Sequence, residues 1–205
     1  MKDPHQAFFA RWSKFYEATP LLAKLLRRQQ DLALERLGAA PGERVLDLSC
    51  GPGRALQALT GAGAIAVGLD ASPHMLVAAR EAGLREPLVW AEAGHLPFRD
   101  ASFTAILCTN AFHHYPEPLA TLRELRRVLA PGGRAVLVDP LLDSAWSRLA
   151  IYGGEALLFG MSVHLHGCAE WRTLCSAAGF ARATAEPIAT FPLPATSVLV
   201  TAHAG

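Results

Sequence analysis

VLDLSCGPGR, Val45 to Arg54, reads as an apolar strand that ends beside an acid, turns tightly through Gly-Pro-Gly and enters a helix. Val45, Leu46 and Leu48 supply the strand, with Asp47 near its carboxyl end. Gly51 and Gly53 make the turn, and the ALQAL that follows favours a helix. A strand feeding a glycine-rich turn into a helix is the entry of a doubly wound α/β fold. In such folds ligands bind beyond the carboxyl ends of the strands, where missing side chains let a small molecule approach the backbone.

The ligand is narrowed by what the turn lacks. A dinucleotide fingerprint needs a third glycine three residues past the second, and that place is Leu56. Asp47 would repel a pyrophosphate but suits a cationic ligand. The next strand, AIAVGLD, ends in Asp70, placed to take two ribose hydroxyls. Together DLSCGPG, GLDASPHML, AEAGHLPFRDASF, NAFHHY and LRELRRVLAPGGRAVLVDP resemble, in order, the motifs of class I S-adenosylmethionine-dependent methyltransferases. The small-molecule group with ubiquinone/menaquinone C-methyltransferases and phospholipid-amine N-methyltransferases is the nearest in pattern. The resemblance implies a Rossmann-like, seven-stranded, mostly parallel sheet with helices on both faces and an antiparallel last strand. It also implies S-adenosyl-L-methionine as cofactor and direct displacement at its methyl group, for which alignment and water exclusion are the main demands.

Carried over residue by residue, the resemblance assigns cofactor contacts to Tyr16, Asp47, Ser49, Gly51, Gly53, Asp70, Ala71, Met75, Glu92, Ala93, Asn110 and Ala111. Asp47 would orient the amino-acid end through water or the turn, and Asp70 the ribose. Glu92 with the Ala93 backbone would read adenine, and Asn110 with Ala111 would line the cleft under the methyl. Asp70→Ala is expected to remove cofactor binding with the fold intact. Three positions depart from the pattern: Ser49 stands for a glycine, Glu92 for an aspartate and Thr104 for an acid. His113 and His114 follow the fourth strand at the cleft, and either can accept a proton near neutral pH. His114 is the preferred base, against a purely packing role for the pair.

At 205 residues the chain is one domain in length, with 51% apolar and 18% charged residues and a net charge of +1. No basic block has the scale of a nucleic-acid footprint; Arg123, Arg126 and Arg127 fall at helical spacing and read as a solvated face. No apolar run approaches a membrane span, and nothing in MKDPHQAFFARW resembles a secretory leader. Four cysteines without CxxC spacing read as reduced thiols, consistent with a cytoplasmic address. His164 and His166 lack a third ligand at metal spacing, so no metal is assigned. A monomer or homodimer acting on a small molecule is the expected form.

Along the chain, residues 1–40 are expected to supply a lid and a packing layer. Phe8, Phe9, Trp12, Phe15 and Tyr16 lie along one helical face, and a second helix runs from about Leu21 to Leu37. Residues 41–139 form the cofactor-binding core, with Ser72 as a helix N-cap and a Pro-Gly-Gly stop after LRELRRVLA. Residues 140–205 supply the acceptor pocket, with Trp146, Tyr152, Leu157, Leu158, Phe159 and Met161, and a closing antiparallel hairpin. An NAD(P)-dependent oxidoreductase and a non-catalytic cofactor- or partner-binding protein on the same fold remain the alternatives, the first opposed by Leu56.

Overall fold

A computed structural model describes residues 20–150, 152–153, 163–189 and 195–205. The chain runs α1 (Pro20–Leu37), β1 (Arg44–Leu48), α2 (Arg54–Gly61), β2 (Ile65–Asp70), α3 (Pro73–Glu81), β3 (Leu88–Trp90) and β4 (Phe103–Thr109). A 3-10 turn (Phe112–His114), α4 (Pro118–Val128), β5 (Leu129–Pro140), α5 (Ala145–Ala150), α6 (Cys168–Ala177), β6 (Arg182–Ala189) and β7 (Ala195–His203) complete it. The seven strands form one sheet in the order β3-β2-β1-β4-β5-β7-β6. β1 to β5 are parallel, while β7 is antiparallel to both β5 and β6. This is the Rossmann-like arrangement the sequence predicts, closing hairpin included.

The order reverses at β1, which pairs with β2 on one side and β4 on the other. Loops leaving β1 and β4 therefore part to opposite sides of the sheet, opening a crevice at their carboxyl ends. Alternation along the strands sorts the core into two layers. Leu46, Leu48, Ile106, Cys108 and Leu137 pack with Leu122, Leu125 and Trp171 of α4 and α6. Val45, Leu107, Val136 and Val138 pack with Leu37, Leu56, Leu59 and Ala79 of α1, α2 and α3. Each fully buried leucine contributes roughly 2 kcal/mol, so these two layers hold the sheet while its carboxyl edge stays free for polar groups.

Two expectations need correction. The helix before β5 does not run to the Pro-Gly-Gly stop; it ends at Val128, and Leu129 is already extended (φ −78°, ψ 131°). Ala130 precedes Pro131, whose ring disfavours helical backbone there. Leu129 pairs instead with Phe103, and the ladder shifts register before resuming at Arg134 opposite Ala105. The arginines of α4 do not form a simple solvated face. Arg127 donates to both oxygens of Glu124, to Asp100 and to the carbonyls of Leu96 and Phe98, at 2.7–3.0 Å. Arg126 reaches the Gly179 carbonyl at 3.2 Å. Arg123 alone of the three is exposed.

The expected aromatic helix over residues 5–18 lies outside the described residues, as do Leu157, Leu158, Phe159 and Met161. No helix among the described residues is long and apolar enough to cross a membrane.

Candidate active site

The site is built where β1 and β2 end. Asp47 lies in register with Gly68 of β2 and Leu107 of β4, and only 2% of it is exposed. After Leu48 the chain turns through three left-handed residues, Ser49 (φ 55°), Gly51 (φ 53°) and Gly53 (φ 86°), before α2 begins. The two glycines serve different needs. A Cβ on Gly53 would overlap Leu84 Cδ2, whereas one on Gly51 would meet nothing within 4 Å. Gly53 thus lets α2 pack, and Gly51 leaves the crevice open.

Asp70 fixes the turn. Its Oδ2 accepts the Gly51 backbone N–H at 2.8 Å, and its Oδ1 accepts that of Ser72 at 2.8 Å. Ser72 is the N-cap of α3, as expected, but its hydroxyl does not cap the helix; the backbone bond to Asp70 sets the entry instead. Burial pushes the Asp70 carboxyl up, and the Ser72 and Gly51 N–H groups pull the other way. Asp47 has less help. Burial and then the charge of Asp70 push it up to about 8, against one opposing hydrogen bond from the Leu56 backbone. Its Oδ2 is buried without a hydrogen-bond partner among the described residues. Two acids at the mouth of one turn, one incompletely satisfied, make a place where positive charge is stabilised.

The remaining sequence candidates follow the carboxyl ends of β2, β3 and β4 in the chain. Ala71 is exposed, and its carbonyl accepts Trp90 Nε1–H at 3.0 Å. Met75 is half-buried, Glu92 exposed and Ala93 buried. Asn110 caps β4 in a left-handed conformation (φ 52°), with its N–H donated to Val138 O at 2.7 Å. Ala111 follows, half-buried. Tyr16 lies outside the described residues.

The two histidines divide. His113 is buried, with Nδ1 2.9 Å from Oδ1 of the equally buried Asp139 at the end of β5. His114 is half-buried and its ring lies against that of His113, centroids 4.0 Å apart. His164 and His166 do not come together as ligands. The His164 N–H donates to His113 O at 2.7 Å, and the His166 ring packs between Phe112 and Trp171. Among the described residues no cluster of three or more His, Cys, Asp or Glu is placed to hold a metal.

Two site residues escape the sequence reading. Asp139 carries the same signal as Asp47 and Asp70, an apolar strand (VLVD) with an acid at its carboxyl end, but no glycine turn follows to draw attention to it. Tyr115 closes the NAFHHY motif, but its partner is reached only through the fold. Its hydroxyl lies 2.7 Å from Ser49 Oγ and 3.6 Å from Cys108 Sγ. All four cysteines are free, and burial lifts the Cys175 thiol to about 12.

The strand order, the acid-flanked turn and the crevice define the class: this is the class I methyltransferase architecture. Residues 46–137 match the methyltransferase-domain family. It is similar to the demethylmenaquinone methyltransferase of Beutenbergia cavernae, 34% identical over 157 residues that cover 74% of this chain and 65% of the relative. The fold superposes on a putative methyltransferase of Haloferax volcanii in complex with the Trm112 methyltransferase activator (TM-score 0.78, 24% identity, covering 100% and 99% of the two chains). It superposes equally on a possible histamine N-methyltransferase of Thermotoga maritima (TM-score 0.78, 20% identity, 100% of each). The chain spans between 36% and 65% of the length of the curated relatives at either end of the range.

Proposed function

We propose that this chain is an S-adenosyl-L-methionine-dependent methyltransferase acting on a small, apolar acceptor. The observation that carries the reading is the unsatisfied Oδ2 of Asp47 beside the Asp70-tethered turn. A ligand with a cationic amino-acid end and a ribose suits that pair, because its charge favours the ionised Asp47, whereas an anionic pyrophosphate would keep both acids from ionising. Leu56, at the place of the third fingerprint glycine, is fully buried in the core, which further opposes a dinucleotide. When bound, the cofactor supplies an electrophilic methyl on a sulfonium. Asp47 lends compensating charge, Gly51 leaves room for close approach, and Asp70 keeps the turn in register while each of its oxygens retains capacity to accept a hydroxyl.

The likeness to demethylmenaquinone methyltransferases supports an apolar acceptor. An acceptor oxygen, nitrogen or acidic carbon must lose a proton as the methyl arrives. His114 is the group to take it, with Asp139 holding His113 and His113 supporting the His114 ring from behind. Once an acceptor is in hand, a pH–rate profile for His114→Asn that matches the parent would remove His114 from that role.

The deciding experiment is calorimetric titration with S-adenosylmethionine, S-adenosylhomocysteine, NAD and NADP. Micromolar binding of the first two alone is expected. Binding of a nicotinamide cofactor instead would overturn the reading.

A further inference from the structure

Ser49 occupies a position that geometry reserves for glycine. Its φ of 55° lies in the left-handed region, which costs a residue with a Cβ and costs glycine nothing. Such strain persists only where something holds it. Here the Ser49 hydroxyl meets the Tyr115 hydroxyl at 2.7 Å, across a separation of 66 residues. Tyr115 stands at the end of the loop after β4, one residue beyond His114. Its ring packs edge-on against Phe112 (centroids 5.2 Å apart), which in turn packs on the fully buried Trp171 of α6.

The tyrosine side chain is therefore anchored at its ring by the core and at its hydroxyl by the turn. Burial, then the neighbouring Cys108, hold the phenol well above its ordinary titration range, so it carries one proton to share between Ser49 and Cys108. When that proton goes to Ser49 Oγ, the serine proton is left to donate elsewhere, and Ser49 sits on the turn between Asp47 and Gly51. A glycine there could neither accept from the loop nor donate onward.

We propose that Ser49 and Tyr115 are a pair of positioning residues that couple the cofactor-binding turn to the loop carrying His113 and His114. Ordering of one is transmitted to the other through this single hydroxyl–hydroxyl bond. The inference rests on the cofactor reading above, because it takes the turn as the donor side and the loop as the acceptor side. Ser49 departs from the glycine of the motif, and the bond to Tyr115 gives an account of that departure. Cofactor binding would then rigidify the loop before the acceptor arrives, with no change of shape required.

The test is amide hydrogen exchange on the full chain with and without S-adenosylhomocysteine, for the parent, Ser49→Gly and Tyr115→Phe. Glycine is at ease at φ 55°, and phenylalanine keeps the packing on Phe112, so both variants are expected to fold, which their melting curves check. In the parent, the ligand should slow exchange at least about threefold both in the turn and at residues 111–115, where the His114 and Tyr115 N–H groups are bonded to Ala111 and Phe112 carbonyls. In both variants the turn should keep its protection and residues 111–115 should lose theirs. Protection of both segments in either variant would overturn the coupling. Failure of the parent to bind the ligand by calorimetry would overturn the cofactor reading, and the inference with it.

Discussion

Asp70 and Gly51 are joined by a 2.8 Å hydrogen bond from the glycine N–H to the carboxylate, while the other carboxylate oxygen holds Ser72. One side chain therefore sets both the glycine turn after β1 and the entry to α3. The sequence makes Asp70 a ligand residue whose loss should spare the fold, and this arrangement gives a different expectation. Asp70→Ala strands two backbone donors, each worth ~1–3 kcal/mol, partly offset by removing a buried carboxylate. A net loss of about 2 kcal/mol in urea denaturation is expected together with loss of S-adenosylhomocysteine binding. Unchanged stability would mean that the two bonds are dispensable.

Gly51 and Gly53 should separate binding from stability. At Gly53→Ala the new methyl runs into Leu84, which is 1% exposed and boxed in, and φ 86° adds strain. A loss of about 2–4 kcal/mol is expected. Gly51→Ala meets open space, so only the left-handed backbone costs, roughly 1 kcal/mol. If the cofactor lies against the open side of this turn, the new methyl competes with the ligand and cofactor affinity should fall at least tenfold. Chemical denaturation and calorimetry on the same two variants check both halves, and equal effects on binding would refute the division.

Arg127 predicts a difference between two cations. Its guanidinium spans Glu124, Asp100 and two carbonyls of the loop before β4, a pattern of five contacts that an ammonium cannot reproduce. Arg127→Lys should cost about 1–3 kcal/mol. Exposed Arg123, changed to Gln, should leave stability within about 0.5 kcal/mol. Equal melting temperatures for the two variants would return Arg127 to the solvated face the spacing suggests.

What the sequence conveys here follows from how far each signal reaches. The GPG turn, the acids ending β1 and β2, and the alternating helix and strand periods are local, and they fix the sheet and the acid-flanked turn at its carboxyl edge. Ser49 is visible as a departure, yet its reason is Tyr115, 66 residues away. Asp139 ends a strand as Asp47 does, yet its meaning comes from His113 on the neighbouring loop. The Pro-Gly-Gly stop misleads because a strand ladder claims Leu129 first. Local chemistry is legible in one dimension; pairs made by the fold are not.

Asp47 makes the site pH-sensitive, with opposite signs for folding and for binding. Its folded value is about 8 against an ordinary 3.8. Between those limits the folded chain holds a proton that the unfolded chain has released, so stability falls as pH rises and levels off above about 8. Asp47→Asn should remove that slope, stabilising the chain more at pH 8 than at pH 5. Glu43, held down to about 2 by Arg134, acts in a different window: its contribution is complete above about 4.5 and is lost as pH falls towards 2. A cationic ligand beside Asp47 favours the ionised carboxylate. Binding of S-adenosylmethionine near pH 6.5 should therefore release a proton and tighten with pH up to about 8. Titrations in two buffers of different ionisation enthalpy measure that proton directly. Identical heats in both would mean that Asp47 does not meet the cationic end of the ligand, and the charge-based assignment of the turn would fall.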